Sequence, residues 1–112
     1  MGLINLDIFR KVSLNNDSFS QEIINRFLQQ SQEYSSQLDA SINDNDFRGV
    51  KSVMQQLKSQ AQMFGADDLV GKIRKIERAN SEKYEQHKEH VLETKSEFES
   101  LVKEVESMQS QA

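Results

Sequence analysis

The sequence predicts an all-α chain: an up-down-up-down antiparallel four-helix bundle with a short extra N-terminal helix. Three observations predict it. The 112 residues contain no proline and only four glycines, Gly2, Gly49, Gly65 and Gly71, whereas chains built of strands and turns use both as punctuation. Apolar residues recur at three- and four-residue steps over long stretches, and short runs of Asn, Asp and Ser separate those stretches. Glu, Gln, Lys, Ser, Leu and Asn dominate, and the first four suit exposed helix surface. The length supports one domain, taken as residues 1–112, with an ordered core over about 3–105 and a tail that frays beyond Met108.

Each element has its own pattern. Leu3, Ile4, Leu6, Ile8, Phe9 and Val12 suit a short amphipathic helix, which Asn15-Asn16-Asp17-Ser18 ends. Ser18, with Gln21 three positions on, fits a capping box for the next helix. That helix carries Ile23, Ile24, Phe27, Leu28, Ser31, Tyr34, Leu38 and Ile42 over about six turns. Asn43-Asp44-Asn45-Asp46 stops it, and Asp46 can cap a third helix with the stripe Phe47, Val50, Val53, Met54, Leu57, Ala61 and Phe64. Gly65 can adopt positive φ where that helix ends. Leu69, Val70, Ile73 and Ile76 mark a shorter helix over about Asp67–Ala79, and Ser81 can cap the last one. In that last helix Tyr84, Val91, Phe98 and Val105 recur every seven residues, with His87, Thr94, Leu101 and Met108 three positions behind them. These are the a and d positions of a seam for left-handed antiparallel packing.

Composition excludes several functions. The absence of cysteine removes disulfides and thiolate metal sites. A net charge of −4 argues against a nucleic-acid binder. No apolar run approaches the roughly 20 residues of a membrane span. Met1-Gly2-Leu3-Ile4 leads into charge rather than a signal-peptide core. A cytoplasmic protein without a membrane partner is expected.

On a wheel of about 100° per residue, the third helix gathers its apolar stripe into one arc. Gln55 and Ser59 lie about 130° and 170° from the centre of that arc by the same geometry. Arg48, Ser52 and Gln62 share their side, and Lys58 lies at its edge. An ordinary solvated face reads the same way by position alone; the flanking residues add more.

Gln55-Gln56-Leu57-Lys58-Ser59-Gln60-Ala61-Gln62-Met63-Phe64-Gly65-Ala66 resembles the signature of the histidine-containing phosphotransfer (HPt) domain family. That signature is His-x-Leu-Lys-Gly/Ser, with a Gly-Ala or Gly-Leu pair ten residues after the histidine. Leu6-Asp7-Ile8-Phe9, Phe27-Leu28, Leu38, Asp46-Phe47 and Ile76-Glu77 fall where the family has its helix landmarks, so the resemblance covers about residues 3–105. It implies a four-helix bundle in a two-component phosphorelay, whose partner is a receiver domain of a response regulator or hybrid histidine kinase. Lys58 matches the family lysine that offsets phosphoryl charge, and Ser59 a small position that leaves room for the partner. The departure is at Gln55, which stands where the family has its phosphorylated histidine. An imidazole nitrogen can accept a phosphoryl group and pass it to an aspartate. A glutamine amide nitrogen has its lone pair delocalised into the carbonyl and cannot.

Other candidates carry weaker signals. His87 lies on the seam of the last helix as a packing residue, and His90 is expected to be exposed. With only Glu89 or Glu93 nearby, the pair falls short of the three or four ligands a metal site needs, so no metal and no cofactor is expected. Asp67-Asp68 at a helix start suits capping and dipole compensation. Met54, Met63, Phe64, Phe98 and Met108 are core filler before they are a cofactor box.

Three readings remain. In the first, the chain is a pseudo-HPt that docks a receiver domain through Gln55, Lys58, Ser59, Gln62, Ser52, Ile4 and Ile8, as a monomer without enzymatic activity. In the second, an active phosphotransfer protein is represented by a His-to-Gln variant. In the third, the chain is a structural or oligomeric helical bundle that uses the seam of its last helix.

Overall fold

Short polar residues start several helices of the computed structural model, which describes residues 2–109 apart from the side chain of Ser81. Asn5 caps α1 (Leu6–Val12), its side chain accepting from the amides of Asp7 and Ile8. Asn16, with φ −112° and ψ 119°, caps α2 (Asp17–Asn43) by accepting from the Phe19 amide. Asp46 caps α3 (Phe47–Met63) through the Gly49 amide. Each such cap contributes about 1 kcal/mol. Helix α4 (Asp67–Arg78) has no side-chain cap; Asp67 and Asp68 in its first turn offset its dipole instead. Asn80 caps a 3₁₀ turn (Ser81–Lys83) that leads into α5 (Tyr84–Gln109).

Several expectations are corrected. The N-cap of α2 is Asn16, not Ser18, because the extended residue sits two positions earlier and Ser18 is already helical. The last helix is led in by a 3₁₀ turn that Asn80 caps, and the side chain of Ser81, the expected cap, lies outside the described part of the structure. α1 begins at Leu6, and Leu3 and Ile4 form a lead-in tied down by the Glu104 carboxylate, which accepts from the Leu3 amide at 2.8 Å. Of the apolar set around α1 only Phe9 is fully buried, while Leu6 and Val12 face solvent. The expected fraying after Met108 falls on residues 110–112, outside the described residues, and Gln109 is still helical.

Helices α2–α5 form an elongated bundle, 45 × 22 × 21 Å, among the described residues. α2 packs on α3 and α5, and α4 packs on α3 and α5. Three-residue connections at 44–46 and 64–66 reverse the chain between neighbours, which makes them antiparallel. The core follows the apolar stripes. Val50, Met54, Leu57, Ala61 and Phe64 meet Ile24, Phe27 and Leu38 from α2, Leu69, Ile73 and Ile76 from α4, and Val91, Phe98, Leu101 and Val105 from α5. A run of rings threads the bundle. Phe9 stacks on Phe64 at 4.9 Å, Phe64 meets Phe27 edge-on at 4.9 Å, and Phe27 meets Phe98 at 6.0 Å. Ion pairs bind the outside. Lys72 bridges α4 to Glu97 at 2.7 Å, and Lys95 bridges α5 to Asp39 of α2 at 2.7 Å. The hydrogen bond each lysine donates to its carboxylate raises the lysine pKa above its ordinary value. Such partly exposed surface pairs add little stability.

Helix α1 lies across the α3–α4 turn. The Asn5 amide donates to the Phe64 carbonyl at 2.9 Å, and Gly65 turns the chain with φ +64° beneath Asn5 and Ile8. Gly71, by contrast, lies in mid-helix on α4, where an added Cβ meets nothing within 4 Å. Gly71→Ala is therefore expected to stabilise the fold by about 0.5–1 kcal/mol. A thermal melt followed by circular dichroism should show a midpoint a few degrees higher; an unchanged or lower midpoint would contradict this account.

Candidate functional site

The amphipathic pattern of α3 sets the site. Phe47, Val50, Val53, Met54, Leu57 and Ala61 are buried, which turns the opposite side of the helix to solvent. Ser52, Gln55, Gln56, Ser59 and Gln62 are all exposed there. None of these five side chains hydrogen-bonds to another described residue. They leave a row of uncommitted amide and hydroxyl donors and acceptors along one helix.

The flanks of this row are satisfied within the chain. On the α4 side, Lys58 Nζ lies 2.8 Å from Glu77 Oε1 and 3.1 Å from Oε2, and both side chains are about three-quarters covered at 23% and 25% exposure. On the α2 side, Gln60 Nε2 donates to Gln30 Oε1 at 2.9 Å. At the N-terminal end Lys51 donates to the Ala79 carbonyl, with its ammonium 5.1 Å from the centre of the Phe47 ring. At the C-terminal end Ile8 covers Gly65 and is half-buried, while Ile4 is half-buried and packs against the core.

The candidate residues thus divide. Ser52, Gln55, Ser59 and Gln62 share one open face, with Ile8 at its end. Lys58 adjoins them, but its charge is turned onto Glu77. Ile4 contributes mainly packing. Glu77, Gln30 and Gln60 had no assigned role in the sequence; they come from three helices and meet only in the fold. Position 77 was visible only as part of the Ile76-Glu77 landmark.

Gln55 offers no nucleophile, and the Ser59 hydroxyl has no hydrogen-bonded base to activate it. Among the described residues, no group of three or more His, Asp or Glu side chains is placed to hold an ion. His87 stacks on Phe47 at 6.3 Å and 10°, a packing role as expected from the seam. His90 differs from expectation: it is half-buried, with an enclosed Nε2 that has no partner. The cause is the width of the α5 interface. Positions flanking the seam, including His90, Lys95, Glu97 and Val102, are partly covered because α5 packs on both α2 and α4. Tyr84 stacks on Phe47 at 4.7 Å with its hydroxyl unpartnered, and burial raises the pKa of that phenol.

Fold and face together define an all-α bundle that presents an open polar face on its α3 helix. The family model described as Hpt domain matches residues 22–110, and the chain belongs to that family. Membership places it in phosphorelay signalling, where Hpt domains interact with receiver domains and carry phosphoryl groups rather than turn over substrates. The match begins within α2, so α1 precedes it. No curated protein and no solved structure matches the chain. Among the described residues no helix is long and apolar enough to cross a membrane.

Proposed function

We propose that this chain is a pseudo-HPt: a monomeric, cytoplasmic, single-domain protein that docks a receiver domain and cannot carry phosphate at Gln55. One observation carries the reading. Gln55, which the resemblance of its stretch to the family signature sets at the phospho-acceptor position, is exposed and without an intramolecular partner in the middle of an open helix face. A neutral amide there keeps a hydrogen-bonding group beneath a docked partner while removing the chemistry. Ser52, Ser59 and Gln62 extend the polar contact, Lys58 borders it, and Ile8 with the edge of Ile4 adds apolar area. By occupying a receiver without phosphorylating it, the protein competes with active phosphotransfer proteins and damps the relay. Burial of Val91, Phe98, Leu101 and Val105 inside the bundle supports a monomer over assembly through the α5 seam.

The test has two arms. Titrated against receiver domains from its own cell, the chain is expected to bind at least one with about micromolar affinity, in keeping with a small transient interface. Failure to bind any of them would sink the reading. In the second arm, Gln55→His is incubated with a phosphorylated receiver that the chain binds. Rapid, reversible labelling of the variant and none of the parent is expected, since the lysine, the small residue and the Gly65 spacing all remain. No labelling of the variant would mean that more than the nucleophile has been lost.

A further inference from the structure

Helix α1 starts from an irregular segment, residues 2–5. Chain ends of this kind are ordered only where something ties them down. Two ties hold this one. The Asn5 amide donates to the Phe64 carbonyl at the α3–α4 turn, at 2.9 Å. The other tie comes from α5: both oxygens of the Glu104 carboxylate accept from the Leu3 amide at 2.8 Å, and Oε1 accepts from the Ile4 amide at 3.4 Å. Glu85, Glu93, Glu97 and Glu99 of the same helix each pair with a lysine, whereas Glu104 has no ion pair among the described residues. Its carboxylate is committed to the backbone of the segment, and a charged acceptor makes the stronger kind of amide hydrogen bond. Gly2 leaves room for it, since an added Cβ would stand 2.9 Å from Oε1. Between its ties the segment crosses the end of the bundle. Leu3 lines the hollow between α4 and α5 with Lys72 and Glu97, Ile4 packs half-buried against the core, and Ile8 follows over Gly65.

We propose that Glu104 is a positioning residue for the docking face: by holding the Leu3 and Ile4 amides it fixes where α1 starts, and so sets Ile8 at the end of the α3 face. This rests on the receiver-docking reading above. Helix α5 packs on α2 and α4 and lies diagonal to α3. Glu104 therefore acts on docking through the N-terminal segment and not by touching the partner.

The experiment compares the parent chain with Glu104→Ala, Glu104→Gln and Glu106→Ala, the last removing an exposed acid of the same helix. Amide exchange is followed by NMR, and each chain is titrated against one receiver domain that binds the parent. In Glu104→Ala the Leu3 amide should exchange about tenfold faster or more, as expected when a charged acceptor is removed. Receiver affinity should fall about three- to tenfold, because Ile8 must then be ordered at the moment of binding. Exchange across α2–α5 should stay at the parent level. In Glu104→Gln the amide oxygen still accepts from Leu3, so affinity should stay within about twofold of the parent. Glu106→Ala should also stay within about twofold, as expected for a charge without a partner. Unchanged Leu3 exchange in Glu104→Ala overturns the proposal, as does a freed Leu3 amide with unchanged affinity. Protection lost together throughout the bundle also overturns it, making Glu104 a structural residue only. Equal weakening by Glu106→Ala does so too, assigning the effect to charge. A parent that binds no receiver removes the docking reading and this proposal with it. Exchange at Leu3, read without any receiver, tells that result from failure of the tie itself.

Discussion

Phe64→Ala is expected to destabilise the protein by about 3–5 kcal/mol, the range for removing a fully buried ring. Phe64 is completely covered, stacks at 8° on Phe9 of α1 and meets Phe27 of α2 edge-on, both at 4.9 Å. It thus joins three helices at one end of the core. Aromatic pairs of this geometry add about 0.5–1.5 kcal/mol each beyond area burial, so two are lost together. Against a total stability of about 5–15 kcal/mol for a domain, the loss is a large fraction. Urea denaturation should show the midpoint falling with little change in slope. Phe64→Leu, which keeps most of the volume, should recover part of the loss. A cost below about 1 kcal/mol for the alanine variant would be far under the ordinary range for a buried ring and would mean that the aromatic run is not what ties α1 to the bundle.

The helices were legible because their signal is local. Val50, Met54, Leu57 and Ala61 repeat with the period of a helix, and all four are fully buried. The same wheel that hides them exposes Ser52, Gln55, Ser59 and Gln62, so the open face was legible too. Gly65 was read correctly as a positive-φ turn because few residues tolerate that conformation. What failed was choice among adjacent equivalents. Asn16 and Ser18 are both good caps, and which one adopts the extended conformation depends on how the neighbouring turn packs. The pairing of Lys58 with Glu77 was not legible at all. The two are 19 residues apart on different helices, and the phasing of α4 against α3 decides whether they meet. His90 was misread because a seam predicts the centre of an interface better than its width.

The open face and α1 are mechanically one unit, and Gly65 is where they join. Gly65→Ala is expected to cost about 2–5 kcal/mol from two separate sources. Holding a non-glycine residue near φ +64° costs about 1–2 kcal/mol. The new Cβ would stand 2.7 Å from Asn5 Cβ and 2.9 Å from Ile8 Cβ, contacts that α1 must move to relieve, at about 1–3 kcal/mol. Both atoms hit are at the base of their side chains, so rotating a side chain cannot relieve the clash. α1 has only seven residues and is held to α3 by the Asn5–Phe64 backbone hydrogen bond and the Phe9 ring. Its displacement is therefore the easiest response, with α2–α5 remaining folded. Amide exchange should rise across Leu6–Val12 well before the rest of the bundle, and receiver binding should weaken because Ile8 leaves the end of the face. Gly65→Asn separates the two costs, since asparagine tolerates the left-handed conformation but brings the same Cβ. Asparagine recovering only a minority of the alanine penalty would locate the main cost in the contact with α1. Full recovery would place it in the backbone, and an alanine variant within about 1 kcal/mol of the parent, less than the overpacking cost alone, would show that α1 does not rest on this turn.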